Sequence, residues 1–313
     1  MLIGTYSPTL VVISLCVAIL ASYTALDLTG RIATTKGRAV HLWTAGGAVA
    51  MGIGVWSMHF IGMLAFNLPI DLGYDFALTA LSLTIAILSC GFALWLVSQP
   101  KLPVWQLAFG ALVMGSGISA MHYTGMAAML MQPGIDYDPT LFGASLVIAV
   151  GASAAALAIA FRLRQHTPYV GLIRGGAAVI MGFAIVGMHY TGMAAARFPD
   201  GSFCGAAIGG LSGKGLDNLV LITTLAVLSI ALLTSILDAR LEARTADLAH
   251  SLTVANRELT QLALHDPLTG LPNRMLLADR IEQAMSKVQE QGGCFALMFI
   301  DLDGFKPVND AFG

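Results

Sequence analysis

Three short segments of the chain carry the same pattern of donor side chains. They begin at Met58, Met121 and Met188, and they read Met-His-Phe-Ile-Gly-Met in the first copy and Met-His-Tyr-Thr-Gly-Met in the other two. Seven residues before each Met-His pair stands a Met-Gly pair, with the same spacing in all three copies. A unit of about twelve residues that recurs three times predicts one kind of site built from three equivalent parts.

Imidazole and thioether groups are the side chains of this repeat that could do chemistry. In an α-helix the methionines and the glycine of one copy share a face with its histidine, because successive residues turn by about 100°. The candidate metal ligands are Met51, Met58, His59, Met63, Met114, Met121, His122, Met126, Met181, Met188, His189 and Met193. These soft, neutral donors suit copper, above all Cu(I), better than magnesium, calcium or manganese, which prefer oxygen.

Apolar helices must position the repeat. The chain is 57% hydrophobic and 11% charged, whereas soluble domains are about one quarter charged. Seven apolar segments are long enough to cross a hydrocarbon layer of about 30 Å. They lie near residues 8–28, 41–66, 76–98, 104–130, 141–163, 171–196 and 217–238. The three motif copies fall on the second, fourth and sixth segments, so the repeated unit is a pair of helices.

A purely structural role is the alternative interpretation of the repeat. Methionine often fills apolar cores, and a single membrane histidine often only packs against a neighbouring helix. Ionisable groups inside a membrane are costly, however, and usually mark a functional site. Three copies in the same register therefore favour a site.

The distribution of charge predicts the orientation of the spans, because Lys and Arg collect in cytoplasmic loops. Alternate gaps are basic through Arg31, Lys36, Arg38, Lys101, Arg162, Arg164, Arg174, Arg240 and Arg244. Two of the other gaps are acidic through Asp71, Asp75, Asp136 and Asp138, and the last one is mixed. We therefore expect the N-terminus outside, the C-terminus in the cytoplasm, and the motifs near the outer face. The four scattered cysteines predict no disulfide framework.

With these motifs, residues 8–238 resemble the MHYT sensor domain of bacterial integral membrane signalling proteins. The resemblance implies an inner-membrane protein that binds copper near the outer face and senses oxygen, carbon monoxide or nitric oxide. The first copy departs from the family motif, since Phe60 and Ile61 replace the tyrosine and the threonine. Any role of those hydroxyls, such as orienting a histidine, is then confined to Tyr123, Thr124, Tyr190 and Thr191.

Beyond about Asp238 the chain becomes polar and continues as an amphipathic helix. Apolar or small residues recur at intervals of four and three, at Leu241, Thr245, Leu248, Leu252, Ala255, Leu259 and Leu262. This seam favours a parallel two-stranded coiled coil, and the alternative is a single amphipathic helix that packs on the next domain. In both cases the helix can carry a shift out of the membrane-spanning part.

The last 50 residues contain a polar block at 265–274, a helix, and an apolar segment at 295–300 that is predicted to be a strand. Two acids, Asp301 and Asp303, follow the strand and suggest a site for a divalent cation and phosphate. These segments resemble the start of a GGDEF domain, the module that makes cyclic di-GMP from two GTP. The resemblance implies a Mg²⁺ site at Asp301 and the Leu302 carbonyl, and nucleotide contacts by Phe305, Lys306 and Asn309.

The sequence thus predicts an all-α membrane protein with seven transmembrane helices at 1–238, a signalling helix at 239–263, and the first part of an α/β GGDEF domain at 264–313. Because Gly313 precedes the GGDEF loop, we expect these residues alone to be inactive. We expect the intact protein to be a diguanylate cyclase, a cyclic di-GMP phosphodiesterase with a following EAL domain, or both.

The expected partners are the lipid bilayer, a diatomic gas or other small ligand, GTP and cyclic di-GMP, and a second copy in a homodimer, with no nucleic acid. Two alternatives stay open. In one, a lipid, quinone or haem replaces the metal at the histidines, and in the other the protein transports a metal or another solute.

Overall fold

The computed structural model describes residues 1–34, 37–164 and 169–313. Six helices cover the apolar part of the chain: α1 (Pro8–Thr34), α2 (Arg38–Ala65), α3 (Phe76–Val97), α4 (Val104–Ala127), α5 (Pro139–Leu163) and α6 (Val170–Ala195). Each is long and apolar enough to cross a membrane. They coincide with the first six predicted spans, and the prediction of a helical, multi-pass membrane protein is confirmed.

The seventh predicted span, at 217–238, lies within the longest helix, α7 (Gly213–Leu264). Many side chains of this stretch are outside the described part of the structure, and a seventh membrane crossing stays a prediction. Lys36, one of the basic residues behind the predicted orientation, also lies outside the described residues. The orientation of the termini therefore stays a prediction as well.

Helices α1 to α6 form a closed ring in chain order, in which each helix packs on its sequence neighbours and α6 packs back on α1. The glycines of the Met-Gly pairs allow this close approach. A Cβ atom at Gly52 would lie 2.6 Å from the Cα of Ile87 on α3, and one at Gly115 would lie 2.7 Å from the Cα of Val150 on α5. Any larger residue at these positions would push the backbones apart.

Short antiparallel strand pairs join the loops beside the C-terminal ends of the motif helices. The pairs are β1 (Thr5–Tyr6) with β2 (Phe66–Asn67), β3 (Gly73–Tyr74) with β8 (Leu211–Ser212), β4 (Met131–Gln132) with β7 (Phe203–Cys204), and β5 (Asp136–Tyr137) with β6 (Ala196–Arg197). A 3₁₀ turn at Gly205–Ala207 lies between β7 and β8. These loops tie all six helices together at the end of the ring that carries the motifs.

The repeat is visible in the backbone as one hydrogen bond made three times. The residues just before α1, α3 and α5 each donate their N–H to a carbonyl at or just beyond the end of a motif helix. The bonds run from Ser7 to Ala65 (2.8 Å), from Asp75 to Ala128 (2.7 Å) and from Asp138 to Ala195 (2.9 Å). Asp75 and Asp138 also cap α3 and α5 through their carboxylates, so the same residues start a helix and fix the end of another.

A partly buried ion pair closes the opposite end of the ring, where the predicted cytoplasmic residues lie. Asp27 on α1 accepts hydrogen bonds from Arg31 (2.9 Å) and from Arg174 on α6 (3.3 Å). Arg174 is 6% exposed and also donates to the carbonyl of Leu163 (3.1 Å). This contact joins the first and last helices of the ring, which the chain itself does not connect.

The chain divides into two compact units, residues 1–235 and 236–313. The second unit contains the end of α7 and the helices α8 (Arg274–Gln291) and α9 (Phe305–Phe312). Asn273 caps α8 by accepting hydrogen bonds from the N–H groups of Met275 (2.9 Å) and Leu276 (3.1 Å). In the preceding turn the carboxylate of Asp266 accepts the N–H of Thr269 (2.8 Å).

The predicted strand at 295–300 is wrong, because these residues have no regular secondary structure. A strand needs a neighbour that pairs with its N–H and C=O groups. Within residues 236–313, whose backbone is described throughout, no strand lies beside this segment. Asp301 and Asp303 are therefore not held at the end of a strand.

Candidate metal centre

Three histidines meet inside the ring, one from each motif helix. His59 on α2, His122 on α4 and His189 on α6 lie two turns or less from the C-terminal ends of their helices, and each is 1% exposed. Their Nδ1 atoms form a triangle with sides of 3.1 Å (His59 to His189), 3.1 Å (His59 to His122) and 3.3 Å (His122 to His189). The convergence expected from the equal spacing of the copies is present.

Hydrogen bonds alone cannot satisfy this triangle. A nitrogen of a neutral imidazole is either a donor or an acceptor, so among three mutual contacts at least one must join two like nitrogens. A single cation, in contrast, can take a lone pair from all three. For sides of 3.1 to 3.3 Å, a point just outside the plane lies about 2.0 Å from each nitrogen, the usual distance between imidazole and a bound zinc-like ion. The three histidines fit a metal ion.

Glycines hold the other edge of each imidazole ring. A Cβ atom at Gly62 would overlap His189 Nε2, one at Gly125 would overlap His59 Nε2, and one at Gly192 would lie 2.5 Å from His122 Nε2. Each histidine therefore packs on the motif glycine of another motif helix, in a cyclic order. None of the three Nε2 atoms has a hydrogen-bond partner in the described part of the chain, so packing fixes the rings.

Aromatic rings stack outward from each histidine. The next residue in each copy packs against its histidine with ring centroids 4.8 to 4.9 Å apart. A tyrosine from the short strands then packs edge-on against that ring. The outer pairs are Phe60 with Tyr74 (5.7 Å), Tyr123 with Tyr137 (5.3 Å) and Tyr190 with Tyr6 (5.6 Å). Partial burial and the neighbouring Tyr123 raise the pKa of Tyr137 to about 12, and burial and Tyr190 do the same for Tyr6.

The tyrosine hydroxyls bind serines on neighbouring helices. The Tyr123 hydroxyl is 2.6 Å from that of Ser145 on α5, and the Tyr190 hydroxyl is 3.1 Å from that of Ser14 on α1. Thr191 donates to the carbonyl of Gly187 in its own helix (2.7 Å). The three hydroxyls thus bond to groups other than a histidine. Any role in orienting a histidine stays a prediction for them and for Thr124.

In the first copy, Phe60 has no hydroxyl to offer the equivalent serine, Ser82. Ser82 instead accepts a hydrogen bond from the indole N–H of Trp56, at 3.0 Å. These serines are absent from the predicted site residues, although their spacing is a signal, since Ser82 follows Phe60 and Ser145 follows Tyr123 by the same 22 residues. The three copies thus share one packing plan with a local change in the first.

The predicted methionine ligands divide into two layers. Met51, Met114 and Met181 line a cavity of about 70 Å³ inside the ring, together with Met188. Each upstream methionine is eight residues before its histidine, a rise of about 12 Å along the helix, so these thioethers lie away from the imidazoles. Met58, Met63, Met121, Met126 and Met193 are buried at or below 3% exposure in the part of each helix that carries the histidine.

The residues matched to a nucleotide site are exposed. Asp301, Leu302, Phe305, Lys306 and Asn309 all lie on the surface of the second unit. The Asp301 carboxylate accepts the N–H of Leu302 (3.0 Å), and the Leu302 carbonyl accepts the N–H of Phe305 at the start of α9 (3.3 Å). The described residues do not gather these groups into a closed site.

Comparison with known proteins identifies both parts of the chain. Residues 52–110, 115–171 and 182–246 match the family described as the bacterial signalling protein N-terminal repeat, MHYT, and together they cover more than half of the chain. Residues 263–313 match the diguanylate cyclase GGDEF domain. No solved structure matches the chain.

Several signalling proteins are similar in sequence. The bifunctional diguanylate cyclase/cyclic di-GMP phosphodiesterase MucR of Pseudomonas aeruginosa is 64% identical over 318 residues, which cover 100% of this chain and 46% of that protein. The cyclic di-GMP phosphodiesterase NbdA of the same organism is 37% identical over 99% of this chain and 40% of its own length. The signaling protein YkoW of Bacillus subtilis is 37% identical over 62% of this chain and 24% of its own length.

The chain spans less than half the length of each of these relatives. Each MHYT match begins within a motif helix, α2, α4 or α6, and each contains one histidine of the triangle. The chain belongs to the family of bacterial signalling proteins that carry the MHYT repeat, and its last residues begin a GGDEF domain.

Proposed function

We propose that this chain is the membrane-sensing part of a protein that controls cyclic di-GMP turnover, and that it binds copper through His59, His122 and His189. The observation that carries the proposal is the buried triangle of Nδ1 atoms with sides of 3.1 to 3.3 Å. Copper bound there supplies a redox-active centre with an affinity for diatomic gases. Imidazole donors, neighbouring thioethers and the absence of carboxylates from the set His59, His122 and His189 favour copper over hard cations.

The cavity inside the ring, lined by the upstream methionines, supports a small apolar ligand such as oxygen, carbon monoxide or nitric oxide. Its walls are mostly thioethers and aliphatic groups, with Ser22, Ser153 and Cys90 among them, and they come from all six helices. Met188 in this lining directly precedes His189. A volume of about 70 Å³ holds a few small molecules, and an apolar lining of this kind gives water few partners. A gas that partitions into the membrane could reach the histidines through this space.

The cytoplasmic part is proposed to make or degrade cyclic di-GMP in the intact protein. The support is the GGDEF match at 263–313 and the names of the relatives MucR and NbdA. In this proposal Asp301 and the Leu302 carbonyl hold Mg²⁺, while Phe305, Lys306 and Asn309 contact GTP. The sensor domain comprises residues 1–238, the signalling helix 239–263, and the first part of the GGDEF domain 264–313.

A homodimer is proposed because the seam along α7 is exposed. Leu241, Leu248, Leu252, Leu259 and Leu262 are each 61 to 72% exposed. Leucines at intervals of three and four on an exposed helix face suit a parallel coiled coil, and a second copy supplies the matching seam. The proposed location is the bacterial inner membrane, with the N-terminus outside and the C-terminus in the cytoplasm, as the charges of the loops favour.

The test measures cyclic di-GMP turnover by the full-length protein in membrane vesicles. We expect turnover to change when copper is removed by a membrane-permeable chelator or when nitric oxide, carbon monoxide or oxygen is supplied. The His122→Ala variant should lose this response and keep its basal turnover. A response that persists in this variant, or a wild-type protein that ignores both copper and the gases, would contradict the proposal.

A further inference from the structure

One motif helix is covered much more than the other two. In the most apolar stretch of each motif helix, 78% of the residues are buried in α2, compared with 28% in α4 and 17% in α6. Within the ring, each motif helix packs between two neighbouring helices in the same way. The greater burial of α2 therefore requires a further element that covers it. That element is the first part of α7, whose Leu216 and Val220 are 0% and 2% exposed.

A hydrogen bond joins α7 to α2 close to the histidine. The hydroxyl of Ser57, which is fully buried, is 3.3 Å from the hydroxyl of Thr223 on α7. Ser57 is two residues from His59 in the same helix. Leu216 and Val220 belong to the large buried apolar cluster that also contains Ile61.

The sequence of the first copy differs from the other two at the covered positions. The residues equivalent to Ser57 are Ala120 and Gly187, and both are exposed. Ile61 is 7% exposed, whereas the equivalent threonines of the other copies are only partly buried. The hydrogen bond to Thr223 gives Ser57 a role that the alanine and the glycine of the other copies do not have.

Beyond Thr223, towards the C-terminal end of α7, helices α2 and α7 separate. Ala226 and Ile230 of α7 line an apolar groove of about 710 Å³ with Gly46, Ala50 and Ile53 of α2. The contact at Ser57 and Thr223 is thus a local attachment with free space beside it, which leaves room for α7 to move against α2. If the contact of Ser57 with Thr223 acts as a pivot, a small shift of α2 produces a larger displacement further along α7.

We infer that the first MHYT copy is the output copy, and that Ser57 and Thr223 position α7 so that a movement of His59 passes to the cytoplasmic part through this helix alone. This inference rests on the proposed control of cyclic di-GMP turnover. The second and third copies complete the histidine triangle, but among the described residues their tyrosine and threonine hydroxyls bond to α1, α5 and α6 and not to α7. Ser57 and Thr223 are positioning residues, since they act through α2 and α7.

The test locks the contact with a disulfide in the full-length protein. The exposed Cys16 and Cys294 are first replaced by serine. Ser57→Cys is combined with Thr223→Cys, and the matched controls combine Thr223→Cys with Ala120→Cys or with Gly187→Cys. The Ser57 and Thr223 oxygens are 3.3 Å apart, so a small rotation brings two sulfurs to the bond length of about 2.05 Å.

We expect rapid cross-linking of the Ser57→Cys pair alone. The bond should change cyclic di-GMP turnover by about fivefold or more, as is usual for allosteric coupling, and reduction should restore the original rate. Equal cross-linking in the control pairs, or failure of the 57–223 pair to cross-link in folded protein, would overturn the docking of α7 on α2. Specific cross-linking with unchanged turnover would overturn the transmission. If the uncross-linked protein also shows no turnover, the proposed function fails, and the inference fails with it.

Discussion

A methyl group added at Gly192 should loosen the histidine triangle. Its Cβ would lie 2.5 Å from His122 Nε2, whereas ordinary contact begins at 3.4 Å. The imidazole must therefore retreat by about 0.9 Å, towards the two histidines that contact its Nδ1 at 3.1 and 3.3 Å. Overpacking of this kind costs about 1 to 3 kcal/mol, and the better helix propensity of alanine returns about 1 kcal/mol.

Gly187 provides the matched control for Gly192→Ala. It lies five residues earlier in α6, and a Cβ there meets nothing within 4 Å. Gly187→Ala should therefore stabilise the protein by about 0.5 to 1 kcal/mol through helix propensity alone. The two variants carry the same chemical change, so the difference between them, about 1 to 3 kcal/mol, isolates the contact with His122.

The assay is thermal unfolding of the purified protein in detergent, together with its copper content. A difference of this size should place the Tm of Gly192→Ala roughly 2 to 12 °C below that of Gly187→Ala. We also expect the Gly187 variant to retain its copper and the Gly192 variant to bind copper more weakly. Equal Tm values and equal copper content in the two variants would refute the argument that motif glycines hold the imidazoles.

Three further predictions follow from the ring and from α7. Tyr123→Phe removes the 2.6 Å hydrogen bond to Ser145 and should cost about 1 kcal/mol, seen as a lower Tm. The N–H of Leu141 is the main cause that lowers the pKa of Asp138. The ionised carboxylate therefore stabilises the folded protein above the ordinary pKa of about 4, and this stabilisation is lost as the pH falls from there through the lowered pKa. Asp138→Asn should remove this part of the pH dependence of Tm. Leu252→Lys should dissociate the proposed dimer, as measured by light scattering of the full-length protein.

Two of these changes have a control within the chain, and the third is compared with the wild type. Thr191→Val removes a hydroxyl that binds only its own helix, and it should lower Tm less than Tyr123→Phe. Ser251→Lys places the same charge on α7 outside the seam and should leave the dimer intact. A Tm that follows pH equally in Asp138→Asn and in the wild type would contradict the capping argument.

Much of the ring could be predicted from the sequence, because its determinants are local and repeated. Apolar runs of about 20 residues predicted α1 to α6, since this length crosses a membrane. The equal spacing within the motif copies predicted that His59, His122 and His189 would meet. The prediction required no knowledge of distant contacts, because each copy places its histidine at the same height of a parallel helix.

The partners of the motif residues could not be predicted in the same way. Ser14 and Tyr190 are 176 residues apart in the chain, and they meet only because α6 closes the ring on α1. The two-residue strands are too short to show a periodic pattern. The attachment of α7 to α2 depends on Ser57 and Thr223, whose types are common on any membrane helix.

The error at residues 295–300 has a different cause. A run of six apolar residues, two Phe and one Ile among them, predicts a strand, but pairing with another strand decides whether the strand forms. The described residues of the second unit contain no such partner. Local preference was outweighed here by the lack of a hydrogen-bonding neighbour.

The most direct test of the central claim is the copper content of the full-length protein purified in detergent. The triple variant His59→Ala, His122→Ala, His189→Ala is compared with a control in which the exposed His41 and His250 become alanine. We predict about one copper per chain in the wild type and in the control, and none in the triple variant. A folded wild-type protein without copper, or a triple variant that keeps its copper, would contradict a copper site at the three histidines.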